Sequence, residues 1–159
     1  MPLSSETQII ESTTILQLVQ ISAVGGYFTT PTFCYYAPPS PDSDELGTPF
    51  VQVELGSEEM TVQDSVGRLY DCEFFGTVYG YVPKTGAYDQ ATTVQELTAD
   101  IRNAMDAVFA SLETSSSVSV ISAGLTTYDV TTGILGEFDG FLKITQGYSV
   151  RYKHTGSWG

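Results

Sequence analysis

The chain has 159 residues, and its 19 Asp plus Glu against six Lys plus Arg give a formal charge of -13. Such a length suits one domain, 1–159, built on one core, while the charge excludes tight nucleic-acid binding, because duplex DNA presents about one phosphate every 1.7 Å and its binders neutralise several of them with Lys and Arg. Two cysteines and one histidine are too few for a structural zinc site, and the longest apolar-rich stretch, Ile15 to Val24, is broken by Gln17, Gln20 and Ser22 before it reaches the length of a membrane span.

The opening MPLSSETQ has neither a basic start nor an apolar run, so no signal segment is expected and the cytoplasm is the default compartment. From Ser5 to Val24 apolar residues such as Ile9, Ile10, Leu16 and Val19 recur at helical spacing. Ser5 with Gln8 would make a capping box, and Gly25-Gly26 would stop the helix. Tyr27 to Ala37 is aromatic and β-branched apart from Pro31, which predicts a strand near a sheet edge. Pro38-Pro39-Ser40-Pro41 and the acidic residues after it predict an exposed loop over 38–47.

Phe50 to Leu55 alternates Val51, Val53 and Leu55 with Gln52 and Glu54, the pattern of a half-buried strand. Gly56 to Gly67 is polar and reads as a connection. Arg68 to Val82 predicts a long strand with Tyr70, Cys72, Phe74, Val78 and Val82 on one face and Asp71, Glu73, Thr77 and Tyr79 on the other; Gly76 and Gly80 would admit a close helix or a bulge on the first face. Thr93 to Leu112 predicts a helix opened by a Thr93 to Glu96 capping box, with Val94, Leu97, Ile101, Met105, Val108 and Leu112 on one stripe. Val118 to Ser122, Leu125 to Val130 and Phe141 to Lys153 complete the set as strands. The order predicts an α+β fold: a mostly antiparallel sheet, with an N-terminal helix and one longer central helix packed on one face.

Catalytic chemistry finds little support. The only histidine, His154, lies five residues from the end in a segment expected to fray, where it reads as an exposed tail residue and not as the base of a triad. No phosphate-cradling glycine loop is present. Asp42, Asp44 and Glu45 lack the glycine and distal glutamate of an EF-hand and read as a solvated loop. Asp71 and Glu73 share a strand face at roughly 7 Å, a spacing compatible with carboxylate hydrolysis, yet no sugar-binding cluster surrounds them. Cys34 and Cys72 read as small buried residues, not as a disulfide. No cofactor or metal is expected. Ten Tyr and eight Phe are many for this length, and Tyr is enriched where subunits meet because it brings area at little entropic cost.

Several segments in succession carry a family likeness: Gly26-Tyr27 with Thr29-Thr30 after the first helix, Pro49-Phe50-Val51-Gln52-Val53, then Phe74-Phe75-Gly76-Thr77-Val78-Tyr79-Gly80-Tyr81-Val82. The helix Leu97-Thr98-Ala99-Asp100-Ile101-Arg102-Asn103-Ala104-Met105 and the closing Tyr148-Ser149-Val150-Arg151-Tyr152 follow. This succession, spanning nearly the whole chain, resembles the tail terminator proteins of tailed bacteriophages. The resemblance implies a non-enzymatic virion protein assembled in the host cytoplasm. It implies a ring, usually a hexamer, that caps the tail tube, ends its polymerisation and meets the neck or connector proteins, with genomic DNA passing through the hole without specific binding. The loop 38–47 departs from the family's usual look and would suit a contact with the sheath or another tail protein.

A ring subunit needs two unlike surfaces that meet head to tail. The candidates are Asp71, Glu73, Tyr79 and Tyr81 on the polar face of the long strand, with Arg68, Arg102 and Arg151 as ion-pair anchors. Arg102 pairing with Asp106 one turn along the helix is the plain alternative. At the level of function the alternatives are another neck or head-to-tail connector protein, a small carboxylate-dependent hydrolase and a ligand-binding module.

Overall fold

The computed structural model describes residues 5–35, 49–54, 56–64, 69–83, 90–135 and 138–155. In chain order these form helix α1 (Ser5–Leu18), a 3-10 turn (Ala23–Gly25), strands β1 (Thr32–Tyr35), β2 (Phe50–Val53), β3 (Ser57–Asp64) and β4 (Leu69–Val82), helix α2 (Gln90–Glu113), and strands β5 (Ser119–Leu135) and β6 (Phe138–Thr155). The loop 38–47 and Arg68 lie outside the described residues, as does the side chain of Cys34.

One sheet holds all six strands in the order β1-β2-β4-β6-β5, with β3 also paired to β4. Among the described strands only β1 and β2 run parallel, and every other pair is antiparallel. The α+β architecture predicted from the sequence is therefore the one found. Its spine is the β4–β6 ladder, unbroken from Leu69↔Thr155 to Val82↔Leu142. Along the other side of β4, β3 takes the stretch from Leu69 to Phe75 and β2 the stretch from Val78 to Tyr81.

Alternation on the spine separates two faces, because successive strand side chains point to opposite sides. Cys72, Phe74, Val78 and Val82 of β4 and Ile144, Tyr148, Val150 and Tyr152 of β6 enter the main core. Helix α2 lays Leu97, Ile101, Met105, Val108 and Leu112 on the same core, each buried as its stripe predicted. Burying such side chains contributes about 1.5–3 kcal/mol each. Gly80 is what lets α2 come so close: a Cβ there would sit 3.1 Å from both Leu97 and Ile101. α1 covers the rest of this face through Ile10, Thr14 and Leu18, with Thr14 meeting the Tyr148 hydroxyl at 3.4 Å.

Several local expectations need correction. α1 ends at Leu18, not at Val24, because its last turn tightens into i to i−3 bonds, Gln20 N to Gln17 O and Ile21 N to Leu18 O. The chain is then pulled across α2 by buried Asp100, whose carboxylate accepts from Phe28 N at 2.9 Å and from Thr29 N at 2.7 Å. Gly26, at φ 96°, closes the 3-10 turn and not the helix. The Tyr27 to Ala37 strand accordingly begins only at Thr32.

The polar segment 56–67, expected to be a connection, contains β3. An edge strand is held by backbone bonds and need not alternate in hydropathy, which is why periodicity missed it. β2 is buried at all four residues and is not half-buried: Val51 and Val53 enter the main core, while Gln52 keeps the other face and is covered there, accepting from Tyr81 Oη at 2.8 Å. α2 begins three residues before Thr93, so the expected capping box lies inside the helix. The two short strands expected over 118–130 are one long strand, bulged between Val120 and Ser122 and between Leu125 and Tyr128.

Candidate subunit-contact surfaces

The sheet's second face receives none of the helix contacts described above. Its lower half is a charged ladder. Arg151 of β6 stands opposite Glu73 in register, and Lys153 stands opposite Asp71. The Arg151 guanidinium swings diagonally to Asp71, donating from Nε to Oδ1 at 3.1 Å and from Nη2 to Oδ2 at 2.5 Å. This forked bond holds the Asp71 carboxyl below its ordinary range and pushes Arg151 above its own. Across β3 the same row brings Glu59 opposite Glu73 in register.

The upper half is aromatic. Phe50, Tyr81 and Phe141 form a second, separate buried cluster with Tyr79 packed against it. Lys143 lies 4.2 Å from the Tyr79 ring centroid and 5.8 Å from that of Tyr81, a cation held over two π faces. Tyr79 Oη donates to Glu54 at 2.9 Å; burial first, and then this carboxylate neighbour, raise its pKa. Tyr81, expected on a contact surface, is buried within the chain itself.

Arg102 belongs to the opposite face. It does not turn to Asp106: its Nε donates to Gln146 Oε1 at 3.1 Å, and its guanidinium stacks 4.5 Å from the Tyr128 ring centroid. Gln146 is buried and fully engaged, its Nε2 donating to Thr127 O and Gly147 O at 3.0 Å. The Thr127 carbonyl lies in the second bulge of β5, so this amide repairs a ladder position the bulge disrupts. An open groove of about 400 Å³ between α2 and β5 is lined by Gln95, Thr98, Arg102, Asn103 and Tyr128.

The structure thus divides the residues picked from the sequence. Asp71, Glu73 and Arg151 come together on one face, Tyr79 and Tyr81 share that face further up, and Arg102 stands apart. Sequence reading missed Lys143, Gln146 and Tyr128, whose roles depend on cross-strand register. It also missed His154, which is buried 2.6 Å from Glu6 and ties α1 to the end of β6. The expected fraying does not occur there, because β6 runs to Thr155 and pairs His154 with Tyr70.

Among the described residues no three His, Cys, Asp or Glu side chains gather as metal ligands would, and no helix is long and apolar enough to cross a membrane. No family model matches the chain, and no curated protein matches its sequence.

Proposed function

We propose that this chain is a structural subunit of a phage tail, of the tail terminator kind, which forms a hexameric ring that caps the tube and joins it to the neck. The observation that carries this reading is the single sheet with two unlike lateral edges. Among the described residues the strands of its lower half run β3-β4-β6-β5, so a polar eight-residue edge lies at one side and a seventeen-residue edge at the other. Unlike edges are what a head-to-tail contact needs, and rotation that closes makes a ring.

The acidic balance adds support, since a ring wall rich in carboxylates would let DNA pass without holding it. The hydrolase alternative is weaker. Asp71 is engaged by Arg151 and held ionised, which suits an ion-pair anchor better than a general acid.

The test is assembly. Mass photometry at micromolar concentration should give one discrete hexamer, and adding the chain to growing tubes of the cognate tail-tube protein should stop their elongation. Monomer alone, with no binding to tube ends, would overturn the reading.

A further inference from the structure

We infer that β5 of one copy pairs antiparallel with β3 of the next, so that the sheets of neighbouring subunits join into one continuous wall. This deepens the ring reading and rests on it, naming the contact that reading leaves open. Among the described strands, β5 is bonded only to β6 and β3 only to β4, which leaves the outer backbone edge of each to template another strand.

Direction fits first. β3 opposes β4, β4 opposes β6 and β6 opposes β5, so β3 and β5 run in opposite senses. Rotation about an axis along the strands preserves those senses. The β5 of one copy therefore meets the β3 of the next in the antiparallel arrangement, the more stable of the two per residue.

Side chains match on both faces. One row of the sheet reads Met60, Cys72, Tyr152, Val120, so exposed Met60 at one edge is level with exposed Ile121 beside Val120 at the other. These two are 51% and 45% accessible, and pairing would cover both. On the second face a row reads Glu59, Glu73, Arg151, Ser122, and the next reads Thr61, Asp71, Lys153, Ser119. The two serines are short, so Lys153 remains within reach across about two strand spacings, roughly 10 Å, while Arg151 is turned the other way, to Asp71. Within its own chain Glu59 stands opposite Glu73, a like-charge pairing that destabilises; against the next copy's β5 it comes within reach of Lys153 instead.

Charge also selects this edge. Between Ser119 and Val130 the only charged residue is Asp129, in a chain with 19 acidic residues, so copies approach there with little repulsion. Eight paired residues extend about 27 Å. The bulge between Val120 and Ser122 adds the bend that a curved wall requires.

The test uses Met60→Cys with Ile121→Cys in a Cys34→Ser, Cys72→Ala background, because Cys72 stands directly opposite position 60 and would otherwise capture the new thiol within one chain. Within one chain β3 and β5 are three spacings apart, about 14 Å, beyond the reach of a disulfide. A bond between positions 60 and 121 therefore joins two copies. Oxidation should give a ladder of covalent multimers ending at the ring number, while either single variant stops at dimer. Glu59→Lys should weaken assembly at least tenfold, and adding Lys153→Glu should restore it. If wild-type protein forms its ring but no disulfide between positions 60 and 121 appears and Glu59→Lys changes nothing, the edge contact is wrong and the ring reading stands. If wild-type protein is monomeric and no such disulfide appears, both fall.

Discussion

Gly76 of β4 and Tyr148 of β6 stand opposite each other, and the Tyr148 ring fills the place a side chain at position 76 would take: a Cβ there would lie 2.2 Å from Tyr148 Cζ. The ring is held by Phe74, Phe109 and Thr14, so it joins both helices to the centre of the sheet. Gly76→Ala must displace a fully buried aromatic and should cost about 1–3 kcal/mol or more. Gly80→Ala should cost less, because its neighbours at 3.1–3.2 Å are the flexible tips of Leu97, Ile101 and Ile144. Urea midpoints of the two variants measure the difference, and equal midpoints would contradict the packing described.

Asp100 fastens the segment after α1. Its carboxylate accepts from two backbone amides, Phe28 N and Thr29 N, and from the Thr29 hydroxyl at 2.5 Å. Asp100→Ala leaves buried donors without their acceptor and should lower stability by about 2–4 kcal/mol. Asp100→Asn keeps one acceptor oxygen and should fall between the two. Hydrogen exchange at the Phe28 and Thr29 amides should quicken in both variants, more so in the alanine one.

The Asp71 and Arg151 pair makes a pH prediction whose sign follows from the lowered carboxyl pKa. The folded state holds Asp71 below its unfolded value, so the contribution is fully present above the ordinary carboxylate range and is lost as pH falls through the folded value. The stability difference between wild type and Asp71→Asn should therefore be constant near neutrality and vanish in acid. Half of the Arg151 side chain is exposed, so the effect should be small and shrink with added salt. Thermal melts across pH at two ionic strengths read it.

Cys72 is wholly buried, and desolvation, reinforced by nearby Glu58, pushes its thiol up to about 11. Since the thiolate is the reactive form, Cys72 in a Cys34→Ser background should resist an aromatic disulfide reagent at pH 8. It should react promptly once urea unfolds the chain, and a fast reaction in the native state would contradict its burial.

Much of the fold was legible locally. The stripe of α2 from Val94 to Leu112 and the alternation of β4 and β6 follow from residue spacing, because helix and strand periodicities reflect geometry each segment carries alone. Asp71 and Glu73 were likewise legible on one polar face, since alternation assigns residues to faces, and Arg151 was legible as an ion-pair anchor. Their pairing was not, because a diagonal contact such as Asp71 with Arg151 depends on register between strands eighty positions apart.

The sequence by itself determined the class of the fold, the two faces of its main strands, the buried stripe of its central helix and the strong negative charge, all properties of short windows or of composition. Only the tertiary structure decided that Ser57–Asp64 is an edge strand, that His154 is clamped to Glu6 instead of fraying, that Arg102 rests on Tyr128 and Gln146, and where α1 stops. Each of these is settled by a partner distant in the chain, and polar residues adopt whichever partner the assembled sheet and helices bring within bonding distance.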